Sequence, residues 1–146
     1  MSDFACSLPT PLDESVGYLR GAKTVAVVGL SPNPDRPSYK VAHYLLEHGF
    51  TVIPIRPVVT EVLGQKAYAS LTEYGRPVDI VDIFRNPDAV PAIVDEAIRL
   101  GCKVIWMQVG IAHAAAGDKA RAAGLKVVEN RCLQSAHRAS QRPNTK

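Results

Sequence analysis

Five short apolar runs, Thr24–Val28, Thr51–Ile55, Asp79–Phe84, Lys103–Met107 and Lys126–Val128, decide most of what this chain can fold into. They are rich in Val and Ile and do not alternate with polar residues, the pattern of strands covered on both faces of a parallel sheet. Helical spacing fills most of the gaps. Ser38–His48 puts Val41, Tyr44, Leu45 and His48 on one side, and Pro91–Leu100 does the same with Ile93, Val94, Ala97 and Ile98. Gly49 and Gly101 follow as terminators, and Pro91 suits a first helical turn. Arg56–Pro77 breaks the rhythm and reads as an irregular excursion with one short strand near Lys66–Tyr68 and a helical turn, while Asp13–Arg20 reads as a short helix ahead of the first strand. The alternation predicts an α/β fold: one doubly wound domain, a mostly parallel sheet of five to six strands, and helices on both faces. The expected division is a lead-in with a short helix over 1–22, the sheet domain over 23–138 and a basic, flexible tail over 139–146.

With 146 residues, the chain is the size of one domain, and a separate catalytic domain is not expected. The formal charge of +3 is local. Four of the 17 basic residues (Arg131, Arg138, Arg142 and Lys146) follow Asn130 with no acidic residue among them, which leaves 13 basic against 14 acidic groups before them. A face suited to a phosphate backbone is therefore not expected, and neither is a nucleic-acid partner. Cys6, Cys102 and Cys132 are odd in number and lack CxxC spacing, and the four histidines show no metal spacing, so neither a disulfide framework nor a metal site is expected. The first residues lack a basic segment ahead of an apolar stretch, and no apolar run approaches a membrane span; a cytoplasmic location is the expectation.

Ligands of doubly wound sheets bind outside the carboxyl ends of the strands, where the strand order reverses. The first strand breaks into Gly29-Leu30-Ser31-Pro32-Asn33-Pro34-Asp35-Arg36-Pro37-Ser38, followed by Tyr39 and Lys40. A glycine after the strand lets the backbone approach a phosphate, and the helix start adds free amides and a positive dipole end. The later glycines of GxGxxG and the lysine of a P-loop are absent, whereas Ser31, Arg36, Ser38 and Lys40 suit a multiply charged phosphate ligand. The alternative is that Ser38 only caps the helix and Arg36 is solvated. The second strand ends at Ile55-Arg56-Pro57, where an enzyme using NAD usually places a carboxylate; the cation instead suits NADP or coenzyme A, or is simply a surface group. Phe84 and Arg85 leave the third run at the ligand end, and Arg85 could equally pair with Asp82 or Asp88. Asp82, inside an apolar run, reads as a partnered buried carboxylate, and Trp106 as core. Gln108 and Gly110 stand where the next turn bends toward the crevice, so the Gln108 amide is a candidate contact. No nucleophile–base pair and no GxSxG elbow is found. Arg131 beside Cys132 sets a cation next to a thiol, which would suit exchange with a CoA disulfide; an inert packed cysteine is the alternative.

Five motifs, Val27–Ser38, Tyr44–Pro57, Val78–Arg85, Trp106–Ile111 and Asn130–Cys132, resemble in order and spacing the stand-alone bacterial and archaeal CoA-binding proteins. These are relatives of the N-terminal CoA-binding domain of the succinyl-CoA synthetase α subunit. The resemblance spans Leu12 to Arg138 and implies a Rossmann-like domain with CoA or an acyl-CoA along the carboxyl edge. By that resemblance Gly29–Lys40 holds the phosphates, Ile55–Pro57 borders the adenosine, and Phe84–Pro87 with Gln108–Gly110 approach the pantetheine arm. Arg56 departs from a small polar residue frequent there, and His113 from an asparagine near the start of the last helix. The synthetase's phosphorylated histidine lies in a second domain, so ligase activity does not carry over. The expectation is a binding or sensing module for CoA, with thiol–disulfide chemistry at Cys132 or NADP binding as alternatives, and a homodimer or another protein as an open partner.

Overall fold

The computed structural model describes residues 9–141; Cys6, the first eight residues of the lead-in and the tail from Arg142 onward lie outside them. The elements follow in order as α1 (Leu12–Leu19), β1 (Thr24–Val28), α2 (Pro37–Glu47), β2 (Thr51–Ile55), β3 (Glu61–Val62), β4 (Gln65–Lys66) and α3 (Leu71–Tyr74). Then come β5 (Ile80–Ile83), a 3-10 turn at Pro87–Ala89, α4 (Val90–Leu100), β6 (Val104–Met107), α5 (Ala114–Ala122), β7 (Lys126–Val128) and α6 (Leu133–Ser140).

Five strands form one parallel sheet in the order β2-β1-β5-β6-β7. Both faces are covered, which is why the strands read as unbroken apolar runs. Val25, Val27, Ile80, Val104 and Trp106 face a layer with Val41 and Leu45 of α2, Leu133 and Ala136 of α6 and Leu19 of α1. Ala26, Val28, Val81, Ile83, Ile105 and Met107 face the other side, against Val90, Ile93 and Val94 of α4, Ala116 and Ala120 of α5 and Leu71 of α3. The expected Rossmann-like α/β fold is present, with five strands in the sheet.

The differences from the sequence reading are local. Asp79, Phe84 and Lys103 fall just outside their strands. The excursion holds a two-strand hairpin, β3 antiparallel to β4, closed by Leu63 (φ 54) and Gly64 (φ 75). Two successive left-handed residues make the type I′ turn that matches strand twist. Tyr68 then bridges Ile55 in parallel, its N–H donating to the Pro54 carbonyl and its own carbonyl accepting from Arg56 N. Pro54 is tolerated because β2 is an outer strand. At the start of α3, Ser70 Oγ caps the helix by accepting from Glu73 N at 3.1 Å, and Glu73 Oε1 accepts from Ala69 N, the residue before the cap, at 2.5 Å. The last helix continues to Ser140, past the expected boundary at Arg138, because Leu133, Ala136 and His137 keep burying one face. His113 caps α5, with α6 following. No helix among the described residues is long and apolar enough to cross a membrane.

At the amino edge, Asp79 has a structural role. Its Oδ2 accepts from Lys23 N at 2.7 Å and Thr24 N at 3.1 Å, and Lys103 Nζ lies 3.4 Å from Oδ1. Burial alone would raise this carboxyl, but those partners outweigh it and hold it below the usual aspartate range.

Candidate functional site

The chain passes from β1 outward to β2 and later returns on the other side of β1 as β5, so the order reverses between β1 and β5. A crevice of about 240 Å³ opens above this point, lined by Gly29, Ser31, Arg36, Pro37, Ser38, Arg56 and Phe84. Gly29 adopts φ +91, and a Cβ there would stand 2.5 Å from the Phe84 carbonyl oxygen and 3.0 Å from Arg85 Cδ. The glycine therefore lets the exits of β1 and β5 meet, a second reason for it beside approach of a phosphate.

The loop after Gly29 is held by its own polar groups. Ser38 Oγ accepts from Ser31 N at 2.9 Å, Ser31 Oγ from Asn33 N at 3.1 Å, and Asn33 Oδ1 from Asp35 N at 2.9 Å. Pro37 opens α2, and Arg36 at the N-cap supplies no side-chain cap. The first-turn amides of Ser38 and Tyr39 are thus left without an internal partner at the positive end of an 11-residue helix. Ser38 itself is buried, so its hydroxyl works mainly as a staple.

Four cations surround this edge. Arg36 is exposed and Arg56 half-buried, and both line the crevice. Arg85 lies across Gly29, and Lys40 lines an adjoining groove with Pro34, Tyr39 and His43. Among the described residues none of the four forms an ion pair with a carboxylate. Arg85 pairs with neither Asp82 nor Asp88.

Other expected site residues are turned away from the crevice. Leu30 is fully buried against the α2 layer, and Ile55 is buried in the opposite layer with its carbonyl accepting from Gly29 N. Gln108 is only 4% exposed, and its Nε2 donates to Asp82 Oδ1 at 2.7 Å. The Gln108 amide, expected at the ligand side, here serves the buried carboxylate. Asp82 Oδ2 has no hydrogen-bond partner, and complete burial pushes this carboxyl up to about 7 although the Gln108 bond pulls the other way. Pro32 and Pro57 are exposed beside the crevice, and Gly110 is exposed with its N–H donating to Asn130 Oδ1. Trp106 is core, its Nε1 donating to the Arg131 carbonyl.

Cys132 is the half-buried N-cap of α6, at the carboxyl end of the sheet. Arg131, expected as a cation beside it, has its Nε donating to the Thr10 carbonyl at 2.7 Å. A feature missed near this edge is a groove of about 340 Å³ on the far side of Arg56, which Thr60, Lys66 and the fully exposed Val58 also line. The Leu63-Gly64 hairpin signal would have revealed it, because that turn folds Lys66 back toward Arg56.

The CoA binding domain family model matches residues 23–138, which include the whole parallel sheet and the crevice. The chain belongs to the CoA binding domain family. It is 36% identical over 119 residues to the uncharacterized protein YneT of Bacillus subtilis, covering 82% of this chain and 88% of that one. A structure from Thermus thermophilus superimposes with a TM-score of 0.82 at 38% identity, covering 90% of this chain and 99% of that one. A hypothetical protein from Pyrococcus horikoshii gives 0.84 at 36% identity, covering 95% and 98%. An ADP-forming acetate–CoA ligase of Methanocaldococcus jannaschii is 26% identical over 91 residues, which span 62% of this chain and 13% of the ligase. As a member of the CoA binding domain family, the chain has coenzyme A as its ligand class.

Proposed function

We propose that this CoA-binding domain is a carrier or sensor that holds CoA or an acyl-CoA without catalysing a reaction. The diphosphate meets the α2 amides and the Gly29–Arg36 loop, Arg56 takes the 3′-phosphate of the ribose, and the pantetheine arm runs past Phe84 and Gly110. The supporting observation is a set of four cations, without carboxylate partners among the described residues, around a helix start at the point where strand order reverses. Such an edge favours a ligand with several phosphates. In favour of a non-catalytic role, the polar side chains nearest the crevice are already spent on structure: Ser31 and Ser38 staple the loop, Gln108 holds Asp82, and Arg131 holds Thr10.

Calorimetry with CoA, dephospho-CoA, NADP and NAD tests this reading. CoA is expected to bind best, and Arg56→Ser to bring it close to dephospho-CoA, a loss of roughly tenfold or more for one charge-assisted bond. Arg36→Ala should weaken CoA and dephospho-CoA alike. Equal binding of all four ligands, or of none, would sink the proposal.

A further inference from the structure

At the amino edge of the sheet, opposite the proposed CoA site, α1, α2 and α6 end around a cavity of about 550 Å³. His137 of α6 stands against it, only 8% exposed. Its Nδ1 lies 2.7 Å from the Tyr44 hydroxyl, and its ring meets His48 at 5.4 Å and Phe50 at 5.2 Å edge to face. Tyr44 stacks on His48 at 4.0 Å, and His48 Nδ1 donates to the Tyr44 carbonyl at 2.8 Å. We propose that His137 is a proton-sensitive pin holding α6 against α2, so that acid loosens α6 and, through the segment before it, the CoA edge of the sheet.

The charges around the ring set the sign of the effect. From α2 it faces the Tyr44 phenol and His48; from its own helix, Arg138, whose guanidinium lies 5.1 Å from the Tyr44 ring centre; and from the end of α1, Arg20, which lines the same cavity. Phe50, from the entry to β2, is apolar. Among the described residues no Asp or Glu lines the cavity, and Glu47 of the neighbouring turn faces His43 at 3.5 Å on the exposed side. Among the described residues a proton on His137 therefore meets His48, Arg138 and Arg20 and no carboxylate. A protonated ring can only donate from Nδ1, so the Tyr44 hydroxyl, 2.7 Å away, could then only accept there. The helix C-termini favour a cation, but burial, and then His48, outweigh them and hold the ring below the usual 6.5. With a lowered folded value, the neutral ring stabilises the fold above about pH 6.5, and that contribution is lost as pH falls through and below it.

The start of α6 connects this pin to the opposite edge. The Arg131 carbonyl accepts from Trp106 Nε1 at 2.8 Å, the Arg131 N–H donates to the Met107 carbonyl, and Asn130 Oδ1 accepts from Gly110 N. The ligand half of the proposal rests on the CoA reading above; the helix half does not.

Trp106 is the only tryptophan, is fully buried and bonds the Arg131 carbonyl just before α6; because Asp82 stands beside it in the register, Asp82→Asn is carried in every protein compared, the one called wild type included. Fluorescence of ligand-free protein is followed from about pH 8 to about pH 4.5. Wild type should show a red shift in the acid half of that range, His137→Gln should lose it, and His48→Gln, which removes the nearest like charge, should move it to higher pH. If His137→Gln fails to fold by circular dichroism, the His48→Gln shift decides alone. A transition unchanged in His48→Gln, or the absence of any wild-type transition, overturns the pin. CoA calorimetry on either side of the transition tests the linkage: affinity should fall of order tenfold in wild type, and an affinity that ignores the transition overturns the link to the ligand edge. Absence of CoA binding at about pH 8, where His137 is neutral, would overturn the CoA reading and leave the fluorescence result standing.

Discussion

Gly29→Ala is expected to destabilise the protein by about 3 kcal/mol or more, lowering the melting temperature by roughly 10 °C, and to abolish CoA binding. Two costs combine. The residue sits at φ +91, where an L side chain is strained, and its Cβ would press to 2.5 Å on the Phe84 carbonyl. That oxygen cannot move aside as a flexible side chain would, because Phe84 N donates to the Val28 carbonyl at 2.9 Å and fixes the strand exit. Gly124→Ala is the matched control, since Gly124 has φ +94 but no atom within 4 Å of the place a Cβ would take. It should lose only the backbone component, about 1 kcal/mol. Thermal melts of the two variants check the account; equal losses would show that the contact with Phe84 contributes nothing.

Asp82→Asn is expected to raise stability, more at alkaline than at acid pH. Asp82 lies wholly buried on the central strand β5, with one oxygen on Gln108 and the other unpartnered. Burial raises its carboxyl from 3.8 to about 7. Because the folded value lies above the unfolded one, the contribution of Asp82 is fully present below about pH 3.8 and is lost as pH rises through about 7. By linkage the loss is of the order of 4 kcal/mol, most of it between about pH 4 and about pH 7. Asparagine keeps an oxygen for Gln108 Nε2 and carries no charge, so the variant should lack this slope. Urea midpoints at about pH 5 and about pH 8 measure the difference. Parallel pH profiles for the two proteins would refute it.

The sheet was legible because each strand is buried on both sides, which leaves no polar residue to blur the run. The same uniformity hides which face a residue points to. Trp106 and Gln108 share one face of β6 by simple alternation, and Asp82 pairs across from Trp106 in the register. Reading Asp82 as buried and partnered therefore implied Gln108 as a partner, but the position of Gln108 at a strand end suggested the ligand side instead. Helix α5 was harder to see, since Ala114–Ala122 is mostly small and charged residues and buries only Ala116, Gly117 and Ala120. Gly29, Arg36 and Arg56 were readable from their place after a strand. The partner of Arg131 was not, because Thr10 lies 121 residues away in sequence and only the folded chain brings it near.

Both borders of the sheet are closed to further strands. On one side Pro54 offers no amide and Tyr68 already occupies the rim of β2; on the other, β7 is three residues long and begins with exposed Lys126. Short, charged or covered borders deny a template to a second chain. Association of two copies through a continuous intermolecular sheet is thereby disfavoured, and the unfolding intermediates most prone to aggregate should be those in which the Tyr68 segment has peeled away and bared the rim it protects.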